Sequence, residues 1–128
     1  MDQFITACKN GDISTVKCLL PTIDLSANDK YAVIWASRYG YVELIRLLLT
    51  DPRFDPSFRD NEAIQLAVLY GRTDVVRLLV ADPRVDSSIL DNWAINAAKR
   101  DGNTKLVDLL TEYQFRLDGP EYNRNILT

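Results

Sequence analysis

The most abundant groups able to do chemistry in this chain are carboxylates, and four of them are placed suggestively. Asp51 and Asp55 open the phrase DPRFDPSFRDN, and Asp82 and Asp86 open DPRVDSSILDN thirty-one residues later. Paired carboxylates can hold a hard cation or share a proton in acid–base catalysis. Other reactive types are scarce. There is no histidine, which removes Ser-His-Asp and Cys-His triads, a histidine general base and His-containing zinc sites. Cys8 and Cys18 stand ten apart with no companion Cys-x-x-Cys, so neither a zinc site nor a disulfide framework is suggested and both read as reduced core thiols. No Gly-rich phosphate cradle occurs. Asp, Pro and Ser are also the residues that build turns, and the residue before a proline is pushed out of helical geometry. Turn formation accounts for the repeated phrase without a ligand. The expectation is therefore a non-enzymatic chain with no cofactor and no metal.

Composition narrows the class further. The chain has 128 residues, 47% hydrophobic and 26% charged, the balance of one soluble folded domain. A net charge of −3 and a sequence pI near 4.9 argue against a phosphate-binding surface, so no nucleic acid is expected as a partner. The opening MDQFITACKNGD has neither the basic start nor the apolar run of a signal peptide, and no apolar stretch is long enough to span a bilayer. The expectation is a cytoplasmic protein without membrane contact, with the nucleus as the alternative compartment.

The elements that carry the repeated phrase emerge when the chain is slid against itself by thirty-one residues. Asp29, Asp60 and Asp91 then coincide, as do Ala32, Ala63 and Ala94, Ala36, Ala67 and Ala98, and Gly40, Gly71 and Gly102. Leu47/Leu48, Leu78/Leu79 and Leu109/Leu110 follow in register, and Ala7, Gly11 and Asp24 join the frame if the first linker is two residues shorter. Within a unit such as DNEAIQLAVLYG, Ala63, Ile64, Ala67 and Val68 recur at helical spacing, with Asp60 or Asn61 placed to cap the first turn. The repeated glycine marks the helix end, where a left-handed residue is cheapest as Gly. RTDVVRLLVA then predicts a second helix. Helices this short are marginal alone, so the pairs must stack, the small alanines permitting close approach.

The order A-x-x-x-A-x-x-x-G-x-x-x-x-[VIL]-x-x-L-L, present as AVIWASRYGYVELIRLL and AIQLAVLYGRTDVVRLL, resembles the ankyrin repeat and runs from about Phe4 to about Tyr113. The usual Thr-Pro-Leu-His opening is replaced by YAVI, EAIQ and WAIN, and the unit has 31 residues rather than the usual 33. Divergent repeats with DPRVD linkers resemble those of large ankyrin families of protists and large DNA viruses. The resemblance implies an all-α solenoid of stacked antiparallel helix pairs joined by short β-turn or loop fingers. Units of about 1–28, 29–59, 60–90 and 91–117 would form a domain over 1–117, followed by a tail or cap over 118–128.

The resemblance also implies a function: a non-catalytic protein–protein interaction module, an adaptor, inhibitor or decoy, holding a partner protein in its concave groove and on its finger tips. The matching finger positions are Asn28 and Lys30, then Phe58, Arg59 and Asn61, then Ile89, Leu90 and Asn92. The first helices contribute Arg38 and Tyr39, Leu69 and Tyr70, and Arg100 and Asp101. Phe58, Ile89 and Leu90 would form an exposed apolar patch if the fingers are wet. Trp35 is expected in the core, Trp93 half-buried near the groove, and Asn96 must find a hydrogen-bond partner or lie near solvent. A monomer fits this reading. The alternative is a self-assembling structural protein, a homodimer or a longer stack, using its fingers or its ends.

Overall fold

The computed structural model describes residues 3–24 and 29–118. Among them are eight α-helices and no strand: α1 (Gln3–Asn10), α2 (Ile13–Leu19), α3 (Ala32–Tyr39), α4 (Val42–Leu49), α5 (Phe58–Leu69), α6 (Thr73–Val80), α7 (Asn92–Arg100) and α8 (Thr104–Asp118). Consecutive helices pair antiparallel through tight turns, and the pairs stack. α1, α3, α5 and α7 form an inner row, α2, α4, α6 and α8 an outer row. The tail expected over 118–128 lies outside the described residues except for Asp118, which ends α8.

Each turn is set by its glycine. Gly11, Gly40, Gly71 and Gly102 have φ of 70°, 79°, 69° and 68°, the left-handed region that glycine enters without a Cβ penalty. The next residue then donates its N–H back to the repeated alanine carbonyl: Asp12 to Ala7 at 2.9 Å, Tyr41 to Ala36 at 2.9 Å, Arg72 to Ala67 at 2.7 Å and Asn103 to Ala98 at 3.0 Å. That bond satisfies a carbonyl that a helix end would leave open.

The same residues pin neighbouring pairs together. Tyr41 donates its hydroxyl to the Lys9 carbonyl at 3.1 Å, Arg72 its Nε to the Arg38 carbonyl at 3.0 Å, and Asn103 its Nδ2 to the Gly71 carbonyl at 3.2 Å. The close approach leaves no room for a side chain, since a Cβ on Gly40 would lie 2.9 Å from Arg72 Cδ. The core runs unbroken through the stack: Phe4, Ala36, Leu44, Leu48, Ile64, Ala67, Leu79, Ala98 and Leu106 are buried. Cys8 belongs to this core, but Cys18 is exposed on α2, contrary to the expectation that both thiols are internal.

The linkers depart most from expectation. The Asp-Pro phrase does follow the helix ends, but its arginine has a structural role the sequence reading missed. Arg53 donates to the Ile23 carbonyl at 2.7 Å and the Leu20 carbonyl at 2.9 Å, while Asp51 grips it at 2.8 Å. Arg84 does the same one unit on, donating to the Phe54 carbonyl at 3.1 Å with Asp82 at 2.9 Å. Asp55 and Asp86 fold local turns by accepting from Ser57 and Ser88. These four carboxylates are therefore engaged with arginine and serine partners, and no cluster of metal-ligating side chains occurs among the described residues. Asp60 and Asn61 do not cap α5 as expected. Arg59, Asp60 and Asn61 form a left-handed turn at its start, with φ of 58°, 56° and 63°.

Candidate functional site

The expected finger patch is not available to a partner as drawn from sequence. Leu90 is 6% exposed and Asn61 8% exposed. The Asn61 amide oxygen instead accepts the Asp86 N–H at 3.0 Å, tying one finger to the next. Phe58 is half-buried, edge-on to Tyr31, which precedes α3, with ring centroids 5.3 Å apart, and Ile89 packs half-buried against the core. The apolar tips are thus spent within the fold, Phe58 against Tyr31 and Ile89 and Leu90 against the core. Arg59 remains exposed, held over Tyr31 by a 2.9 Å hydrogen bond to its hydroxyl and paired with Glu62 at 3.0 Å. Lys30, Asn92, Arg100 and Asp101 are exposed, and Asn28 lies outside the described residues.

Apart from Ile13 on α2, the exposed large apolar side chains among the described residues lie along the inner row, just ahead of the turn glycines. Tyr39 is 40% exposed, Leu69 50% and Tyr70 47%. The α3 and α5 helices place these residues side by side because the same slots recur in consecutive units and the two helices pack closely. Arg38, half-buried, joins them: its guanidinium lies 5.8 Å from the Tyr39 ring centre and 5.1 Å from that of Tyr70.

Trp35 extends the surface towards the first unit, where sequence reasoning expected a core residue. It is half-buried, stacked on Tyr39 with centroids 6.3 Å apart and an interplanar angle of 14°. The Lys9 ammonium sits 4.4 Å above the Trp35 ring centre, within the range where a cation is drawn to the face of an indole. Tyr41 completes the cluster, 5.8 Å from Tyr39, while its hydroxyl reaches the Lys9 carbonyl. Exposed rings beside arginine are the composition of interface centres. Spacing alone did not identify Lys9 and Trp35 as part of this surface, because the two are joined only by stacking of α1 on α3.

At the far end, Trp93 is half-buried and donates its indole N–H to the Ile89 carbonyl at 2.6 Å, which spends its polar handle within the fold. Asn96 lies near solvent, one of the two outcomes open to it. No helix of the described residues is long and apolar enough to cross a membrane.

A family model described as ankyrin repeats, in three copies, matches residues 4–91. No curated protein and no solved structure gives a significant match. The matched segment covers the first three helix pairs and ends where α7 begins, yet α7 and α8 carry the same alanine, glycine and leucine slots.

Proposed function

Because the chain belongs to the ankyrin-repeat family, a non-catalytic fold whose members are generally protein–protein interaction modules, we propose that it binds a partner protein through the inner-row surface formed by Arg38, Tyr39, Leu69 and Tyr70. The observation that carries this reading is the exposure of Tyr39 and Tyr70 around one guanidinium, with exposed Leu69 next to Tyr70 in the chain. The chain acts as an adaptor, inhibitor or decoy by presenting a preordered face. Rings and a guanidinium already locked against one another lose little entropy on docking, so more of the contact energy appears as affinity. The alternative of self-assembly through the fingers loses its apolar patch, since Leu90 is buried and Phe58 is covered by Tyr31.

A photo-crosslinking side chain placed at Tyr70, and separately at Arg77 on the outer face, tests this in a lysate of the source cells. The reading expects a discrete adduct with another protein from the Tyr70 probe only, abolished by Leu69→Glu. Adducts confined to Arg77, or an adduct of twice the chain's own mass, would overturn it.

A further inference from the structure

On the outer helices Arg46 pairs with Glu43 at 3.4 Å and Arg77 with Asp74 at 3.0 Å, and these pairs flank the open groove between α4 and α6. The linker and finger arginines are paired as well. Lys17 and Lys105 on the outer helices and Lys99 on α7 have no carboxylate within ion-pair distance among the described residues, and neither do Lys9, Arg38 and Arg100. The latter three occupy one slot, two residues before the turn glycine, in the first, second and fourth units, and Leu69 fills that slot in the third. Along the inner row the slot therefore reads cation, cation, leucine, cation.

We propose that the inner face takes an extended acidic segment of a partner protein, with carboxylates on Lys9 and Arg38 and an apolar side chain on Leu69. The inference rests on the reading that the inner face is the binding face. Lys9 is held over Trp35, and Arg38 between Tyr39 and Tyr70, so both charges are positioned before a ligand arrives. That arrangement favours a carboxylate over a nucleobase: one face of Trp35 lies under Lys9 and Tyr39 stacks on the ring, leaving little open π-surface for a base. Packed helices lie about 8–10 Å apart and an extended chain advances about 3.3 Å per residue. A segment crossing the row meets one slot about every three residues. The motif is thus acidic, two spacers, acidic, two spacers, apolar. Arg100 lies one unit beyond the Leu69 slot, so a segment with its apolar residue on Leu69 draws its acidic preference from the first two units.

Selection of a random dodecapeptide display library on the intact chain tests this, with enriched sequences remade as labelled peptides for fluorescence anisotropy. The expected winners carry two carboxylates three residues apart and an apolar residue three further on. The double substitution K9Q/R38Q should weaken them about tenfold, added salt should weaken them further, and Arg77→Gln, which removes an outer-face charge, should leave affinity within about twofold. Melting temperatures check that each variant is folded. Peptides abolished by Leu69→Glu but lacking acidic preference and indifferent to K9Q/R38Q would sink the acidic-segment inference while leaving the inner-face reading intact. If nothing is enriched, or every winner survives Leu69→Glu, both fail. A twenty-nucleotide single strand bound in a Lys9- and Arg38-dependent manner would replace the acidic segment with nucleic acid.

Discussion

The guanidinium of Arg84 joins two parts of the chain: Asp82 from its own linker and the carbonyl of Phe54 from the linker before. A lone surface pair contributes little, but here the carboxylate orients a donor that satisfies a neighbouring unit's main chain. The hydrogen bond from Arg84 holds the Asp82 carboxyl below the usual carboxylate range, against the opposing effect of burial. Asp51 is lowered in the same way by Arg53. A carboxyl whose folded pKa is depressed stabilises the fold above its unfolded pKa and loses that contribution as pH falls through its folded value. Asp82→Asn should therefore lower the melting temperature at neutral pH, and the gap to the native chain should shrink as pH drops below about 4. Melts in a pH series check this; a gap that stays constant down to the acid limit of the fold would separate Asp82 from the acid transition.

At the scale of elements, the left-handed turn at Arg59, Asp60 and Asn61 stands apart. Three successive residues with a Cβ in that region cost about 1–2 kcal/mol each, and neighbours hold two of them by their side chains and the third by its carbonyl. Asn61 accepts from Asp86, Arg59 bonds Tyr31 and Glu62, and Gln65 donates to the Asp60 carbonyl at 2.9 Å. The Asp60 side chain is exposed and makes no hydrogen bond among the described residues. Asp60→Gly should raise stability by about 0.5–1 kcal/mol by relieving the Cβ strain, read as a higher midpoint in urea. Asn61→Ala should cost about 1–2 kcal/mol because it orphans the Asp86 N–H. A lower midpoint for Asp60→Gly would mean that this turn is not left-handed in solution.

Which elements were legible follows from the range of their causes. The paired helices could be read because Ala36, Gly40 and Leu48 act within one unit, at spacings that repeat. The covering of Phe58 by Tyr31, the burial of Leu90 and the placing of Trp35 under Lys9 depend on side chains brought together by stacking, and helical periodicity is silent on that. The Arg53 and Arg84 contacts did leave a signal: the same arginine recurs between an Asp-Pro and a second aspartate at the same interval. Its acceptors are main-chain carbonyls, which have no letter in the sequence.

Over the whole molecule, neighbouring pairs are fastened at the turns, at the linkers and through a shared core, so the surfaces left for other proteins are the inner face, the outer face with its groove between α4 and α6, and the two ends. The fingers, which sequence alone offered as a self-association patch, are committed to holding the stack together. The expected solution state is a monomer, with a scattering mass that stays constant across concentration. Leu90→Glu separates the two roles directly. If Leu90 serves the core, forcing a carboxylate into its site costs about 4 kcal/mol or more, and the variant melts far below the native chain without any native dimer to dissociate. If Leu90 serves a dimer, the native mass doubles with concentration and Leu90→Glu restores the monomer at an unchanged melting temperature. Its 6% exposure places Leu90 on the side of the core. Leu69→Glu, half exposed on the inner row, should in contrast leave both mass and melting temperature unchanged, which is why it serves as the variant that removes binding without removing the fold.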